Sequence, residues 1–558
     1  MQIPSFKHLL MKRYYFFLLA LFILKFNFAW AQPGGQPVMR PKLVVGIVVD
    51  QMRWDYLYRY YSLYGEGGFK RLLSQGYSCD NAYINYLPSY TAVGHTCIYT
   101  GSVPSITGIT GNEWIEQLTG ARVYCTDDSS VQSVGVAMSP DGKMSPRNLL
   151  VTTIGDELRI ATNHKSRVVG VSLKDRAAIL PGGHTANAAF WMDDASGNFI
   201  SSSYYMKQLP PEVENFNKEK KIEQFIKSDW NTLYPISAYT ESDPDNEPYE
   251  GKFPGEELPV FPHNIKRAYQ ANRSSFRSTP FGNTLTLDFA GMILDAYHLG
   301  TGQATDFLAI NCASTDYVGH LFGPNSIEIE DTYLRLDQDL AAFFSALDKK
   351  VGKDQYVVFL TADHGAAHAV GYSKENRIPA DFYVSSDILA TLDRLIQVKF
   401  GISGAIRSGA NYQINFDLAK IAAANADFDA IKTAVVRFLI RQPGVAYAVD
   451  MDKIGEAPIP EPIRSMIING YYFKRSGQVQ VVFQPGWLES DARTGTTHGT
   501  WNPYDTHIPL IFMGWNIHPG TSPKRIQMAD IAPTLATLLH IQAPNGNIGT
   551  PILDLFQK

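Results

Sequence analysis

The sequence has no surplus of positive charge. Its 49 Lys and Arg residues are outnumbered by 54 Asp and Glu, a net of −5, which excludes the basic footprint of a nucleic-acid-binding surface. Charged residues of either sign are few, 18% against 45% apolar, and this balance excludes a chain kept unfolded by charge and low hydrophobicity. No stretch beyond the amino terminus is apolar for the roughly 20 residues a membrane span needs. No internal repeat and no low-complexity tract is present, so repeat architectures are excluded as well. What remains is a globular chain of 558 residues, long enough for one large α/β domain with insertions or for two to three smaller domains.

The amino terminus reads as an export signal. Lys7, Lys12 and Arg13 precede an apolar run from Tyr14 to Leu24, and Ala29-Trp30-Ala31 offers small residues where a signal peptidase reads. Cleavage is expected after Ala31, leaving 32–558 as the catalytic domain. Lys25 interrupts the run, which argues against a membrane anchor, and no Cys follows it that could carry a lipid. A secreted or periplasmic protein is therefore expected. Its four cysteines, Cys79, Cys97, Cys125 and Cys312, allow three pairings, of which Cys79 with Cys97 and Cys125 with Cys312 is the one expected.

Apolar runs alternate with helical periodicity along most of the chain. Lys42 to Val49, Ser166 to Leu173, Phe307 to Cys312, Tyr356 to Leu360, Gln478 to Gln484 and Pro509 to Met513 read as buried strands. Helices are expected over Trp54–Ser74, Ala92–Tyr99, Asn148–Ala161, Thr284–Tyr297, Ile327–Val351 and Asp530–Leu539. In Ile327–Val351 the charged Glu328, Glu330, Asp331, Arg335 and Asp339 fall on the face expected to meet solvent. The alternation predicts a mostly parallel, doubly wound α/β sheet with helices on both faces. Two segments, about 210–277 and 379–477, read as insertions: the first is Pro-rich and aperiodic, and the second carries its own helices.

Three of the strands end in ligating side chains. Lys42 to Val49 ends on Asp50; Phe307 to Cys312 is followed by Asp316 and His320; Tyr356 to Leu360 by Asp363, His364 and Gly365. Open α/β sheets place ligands beyond the carboxyl ends of their strands. Asp316 and His320, four apart, share one side of a helical turn, and Gly365 would let the chain turn. With His498 in a later loop, six ligands suffice for two ions with positions left open for substrate oxygens. Mixed carboxylate and imidazole favours zinc over manganese or iron, which the same ligands also accept, and a two-ion clamp suits in-line displacement at phosphorus or sulfur esters. Thr91, ahead of an apolar helix, reads equally as a helix N-cap or as a nucleophilic hydroxyl.

Seven motifs in one order, Val49-Asp50, Pro88-Ser89-Tyr90-Thr91, Gly111-Asn112, Lys174-Asp175-Arg176, Asp316 to His320, Asp363-His364-Gly365 and Thr497-His498-Gly499, resemble the alkaline phosphatase superfamily, and within it the single-subunit bacterial alkaline phosphatases that use threonine. The resemblance implies that Asp316, His320 and His498 hold one zinc. It implies that Asp50, Asp363 and His364, with the Thr91 hydroxyl, hold the other. Asn112, Lys174 and Arg176 would contact the phosphoryl oxygens, the last two from one face of an extended segment. The expected enzyme is a secreted two-zinc alkaline phosphatase, monomeric, cleaving small-molecule phosphate monoesters through a phosphothreonine at Thr91. A phosphodiesterase or nucleotide pyrophosphatase is the alternative, and a non-catalytic metal-stabilised binding protein a remote one. Sulfatases need a Cys-x-Pro-x-Arg context that Pro88 to Gly94 lacks.

Overall fold

The computed structural model describes residues 39–137 and 139–556; the expected signal segment and its cleavage point lie outside them. An 11-stranded sheet dominates. Its centre is five parallel strands in the order β6-β1-β5-β3-β4, where β1 is Leu43–Val49, β3 Val168–Val171, β4 Ala188–Asp193, β5 Asp306–Cys312 and β6 Tyr356–Thr361. β7 (Leu510–Gly514), antiparallel to β6, and β2 (Tyr77–Tyr83), antiparallel in turn to β7, extend it beyond β6. Every residue of β1, β5 and β6 is buried, so both faces of the central sheet are covered. This explains why these strands read as continuous rather than alternating apolar runs. Register aligns their carboxyl ends: Val49 lies opposite Cys312, and Val48 opposite Thr361.

Several expected elements differ in extent. Trp54–Ser74 is not one helix but Tyr56–Arg59, a short turn Tyr61–Leu63, and Phe69–Gln75. Glycines at 65, 67 and 68 interrupt it, and Asp337 accepts hydrogen bonds from the freed Gly65 and Phe69 N–H groups. The helix expected from Asn148 begins only at Ile154, where Thr153 and Asp156 form a capping box. Val479–Phe483 does not join the large sheet. It pairs with Gln413–Phe416 and Val445–Asp450 in a separate four-stranded sheet that also takes in Ile406–Ser408, with its own apolar cluster.

The charged face of the long helix Ile327–Leu347 is buried, not solvated. Glu328, Glu330 and Asp331 are at most 1% exposed, because the aperiodic excursion lies over them and supplies donors. Asp331 accepts from Trp230 Nε1, the Leu233 N–H and the Tyr239 hydroxyl. Glu330 accepts from Ser242, and Glu328 faces His263 at 3.0 Å. The four cysteines are free and buried. The expected disulfides are absent; Cys79 and Cys312 sit inside strands and Cys97 inside a helix, each packed among apolar neighbours. Among the described residues no helix is long and apolar enough to cross a membrane.

Candidate active site

The ends of β6, β1, β5 and β3 are adjacent, and each delivers a polar side chain to one place. Asp50 follows β1, and Asp363 and His364 follow β6. Asp316 and His320 lie in the helix Ser314–Phe322 that follows β5, and Lys174 follows β3. Asp50, Asp363 and His364 offer ligand atoms within 4.8 Å of one another, and so do Asp316, His364 and His498. His364 is thus shared between the two groups, its ring stacked on that of His498 at 3.4 Å. His320 joins through Asp316, with Nε2 3.1 Å from Oδ1. A third acidic group, Asp429, Asp450 and Asp452, surrounds the buried ammonium of Lys432, so its charge is already met.

The three histidines are oriented alike. Nδ1 of His320 lies 2.9 Å from the Thr496 carbonyl, that of His364 3.0 Å from the Gly365 carbonyl and that of His498 2.7 Å from the Ser89 carbonyl. A carbonyl only accepts, so each Nδ1 carries a proton; the Nε2 atoms of His364 and His498 are left to present an electron pair to the cluster, while His320 Nε2 faces Asp316 Oδ1, which against burial raises the His320 pKa. Burial, with His364 and His320 beside it, holds His498 well below the usual imidazole range, and burial lowers His364 as well. Both are therefore neutral, as metal ligation requires. Buried Asp50 Oδ1, Asp363 Oδ2 and His364 Nε2 have no hydrogen-bond partner in the protein. Orphaned acceptors of this kind, converging from two carboxylates and an imidazole, fit a divalent cation.

Lys174 does not point along an extended face with Arg176. A helix starts at Asp175, and this turns the two side chains apart. The Lys174 ammonium donates to Asp50 Oδ2 at 2.9 Å and Asp316 Oδ2 at 2.7 Å, bridging the two ligand groups. Burial opposes its charge, but Asp316 and Asp50 hold its pKa above the ordinary lysine value. Against the same burial, His320 and Lys174 hold Asp316 well below the usual carboxylate range. Arg176 donates instead to the Tyr124 hydroxyl at 3.1 Å.

Thr91 is the first residue of the helix Thr91–Thr100, with Tyr90 at the N-cap position, so the capping reading of Thr91 fails. It is buried, 2% exposed. Asn112 Oδ1 accepts the Ala92 N–H at 3.0 Å, which ties that loop to the helix start and leaves the Asn112 amide N–H groups free to donate. Gly365 has no positive φ; its need is space, since a β-carbon there would lie 2.2 Å from the Tyr504 carbonyl oxygen.

Two further residues, Gln51 and His95, join the ligand groups. Gln51 Nε2 donates to Asp316 at 2.7 Å while its backbone N–H donates to Asp363 at 3.2 Å, so one residue ties both groups. It does so with φ of 64°. Fully buried His95 lies 3.4 Å from Asp363 Oδ2. His184 and His368 bond to Val151 and Asn325 and are structural.

Comparison with known proteins gives the class first. Residues 44–505 match the family described as type I phosphodiesterase / nucleotide pyrophosphatase, and the chain belongs to that family. Alkaline phosphatase PafA of Elizabethkingia meningoseptica is 53% identical over 522 residues, 93% of this chain and 95% of that protein. Alkaline phosphatase PhoV of Synechococcus elongatus is 52% identical over 94% of each chain. A Myroides odoratus protein named calcium-transporting ATPase is 49% identical over 95% of this chain and 97% of its own length. The crystal structure of PafA superposes with a TM-score of 0.92 at 52% identity, over 94% of this chain and all of that one. It has also been solved as a variant with one Thr, one Asn, one Lys and one Arg replaced. Within its family the chain is an alkaline phosphatase of this kind.

Proposed function

We propose that the chain is a two-zinc phosphatase that cleaves phosphate monoesters through a covalent phosphothreonine at Thr91. One observation carries the reading: two ligand groups share His364, and their inward Nε2 atoms and orphaned carboxylate oxygens converge beside the start of the Thr91 helix. Asp316, His320 and His498 would hold one zinc. Asp50, Asp363 and His364 would hold the other, with the Thr91 hydroxyl. Bound zinc lowers the pKa of a coordinated hydroxyl and neutralises phosphoryl charge. Thr91 Oγ1 attacks phosphorus as the bond to the leaving alcohol breaks, and water then takes the phosphoryl group, releasing phosphate and restoring threonine. Asn112 and Arg176 steady the non-bridging oxygens. The residue types replaced in the solved PafA variant occur here as Thr91, Asn112, Lys174 and Arg176 at the same spacing along the chain, which supports their grouping.

Thr91→Ala keeps the other ligands and removes the nucleophile, so turnover of p-nitrophenyl phosphate should fall by about 10³-fold or more with zinc content unchanged. Near-normal turnover in that variant rules out the covalent route. Diester cleavage stands as the second reading because the matching family is described by diesterases. The amino-terminal pattern supports action outside the cytoplasm; amino-terminal sequencing of the mature protein should begin at Gln32, and an intact Met1 would refute export by cleavage.

A further inference from the structure

The segment that carries the four-stranded sheet reaches the active site at one turn, and that turn is strained. Asn411 has φ of 62° and ψ of 29°, and Tyr412 follows with φ of 58°. Asn tolerates the left-handed region; a bulky aromatic there is rare and persists only where its surroundings impose it. Here they do. Gln480 Nε2 donates to the Tyr412 carbonyl at 3.0 Å, Gln413 Nε2 donates to Gln480 Oε1 at 3.0 Å, and the Gly477 N–H donates to Gln413 Oε1 at 2.8 Å. This buried amide network fixes the turn from behind.

In front, the two side chains grip the two loops on which the phosphatase reading depends. The Tyr412 hydroxyl donates to the His498 carbonyl at 2.7 Å. Its oxygen comes within 2.6 Å of where a β-carbon on Gly499 would stand, so the residue after the ligand is packed against it. Asn411 Nδ2 donates to the Glu113 carbonyl at 2.9 Å, and the Asn411 amide fills the space over Gly111, one residue before Asn112. Both side chains are buried.

We propose that Asn411 and Tyr412 are positioning residues: the strained turn clamps the His498 loop and the Asn112 loop at a fixed separation, one hand on each. The clamp deepens the reading of His498 as a zinc ligand and Asn112 as a phosphoryl contact, and rests on it. A segment read from its sequence as an insertion thereby acquires a role in zinc retention and phosphate affinity.

The two hands are separable by experiment on the full zinc-loaded chain. Tyr412→Phe keeps the ring against Phe483, 5.0 Å away, and deletes only the hydroxyl. It should release zinc to a chromogenic chelator about three- to tenfold faster than wild type, the weight of one hydrogen bond, while affinity for inorganic phosphate changes less. Asn411→Gly relieves the backbone and deletes the amide. It should weaken inorganic phosphate inhibition by a similar factor and leave zinc release near wild type. Wild-type zinc release in Tyr412→Phe together with wild-type phosphate affinity in Asn411→Gly overturns the clamp. So does an equal loss of both properties in both variants accompanied by a lowered melting temperature, which marks the turn as merely structural. Chelator release is read without turnover, so failure of the monoesterase reading shows in the wild-type assay and failure of the clamp shows in the variants.

Discussion

Lys174 and Arg176 are two residues apart and do different things. The Lys174 ammonium is buried between Asp50 and Asp316, so its removal deletes the cation that bridges the two ligand groups. Lys174→Ala should lower kcat/KM on monoesters and diesters alike, by about 10²-fold or more, together with altered zinc retention. Arg176 touches neither ligand group; its buried Nε is unpartnered, and its guanidinium can bind two oxygens of a dianion. Arg176→Ala should lower kcat/KM for p-nitrophenyl phosphate about tenfold more than for bis-p-nitrophenyl phosphate, and equal losses on the two substrates would remove Arg176 as the discriminator. Five of the six candidate ligands were legible from sequence because they follow the ends of β1, β5 and β6; His498 stands apart in a later loop. Gln51 was not: its partner Asp316 is 265 residues away, and an amide carries no pattern that singles it out. The splitting of Lys174 from Arg176 was hidden for a local reason, since the helix begins at the residue between them.

Secondary structure was legible where burial alone decides it. The strands that lead to the candidate ligands are buried, mainly apolar runs, and the parallel centre follows from them. The helix Ile327–Leu347 shows where such reading stops: its apolar stripe was visible, but its charged face is satisfied by donors from residues 230–263, and no periodicity announces that cover. Asp339 on the same helix makes this testable. Its carboxylate accepts from Thr284 Oγ1 at 2.7 Å, and burial, with Asp288 nearby, pushes its pKa up to about 7 against that hydrogen bond and Arg335. The unfolded chain releases this proton near pH 4. Between pH 4 and 7 the folded state therefore holds the extra proton, so the contribution of Asp339 to stability falls as pH rises through that window and is flat above it. Asp339→Asn keeps an acceptor for Thr284 and removes the charge, and calorimetry should show a larger rise in Tm at pH 8 than at pH 5. An equal shift at both values would show that the group titrates normally.

At the scale of the molecule, the site is an addition to a fold that stands without it. The parallel strands are hydrogen-bonded along their length and buried on both faces, and the ligands project from their ends after the ladder has closed. That order of construction was readable in the sequence, because apolar runs precede five of the six candidate ligands. The joining of distant loops by the turn at Asn411 and Tyr412 was not, since it depends on a separate sheet with an apolar cluster of its own. It follows that metal and fold are separable here, unlike in a small zinc domain whose ligands are its core. Chelation should abolish phosphatase activity while far-UV circular dichroism and a cooperative thermal transition persist. The transition should move down, because ions that bind only the folded chain stabilise it by about 2.7 kcal/mol when present at 100 times their dissociation constant. Lys174 limits the penalty by neutralising Asp50 and Asp316 when the ions leave. Readdition of zinc should restore activity in proportion to ions bound, with saturation at two per chain by elemental analysis. Loss of the dichroism signal in step with metal release would show that the ions hold the sheet together, and saturation at one ion would show that His364 serves a single centre.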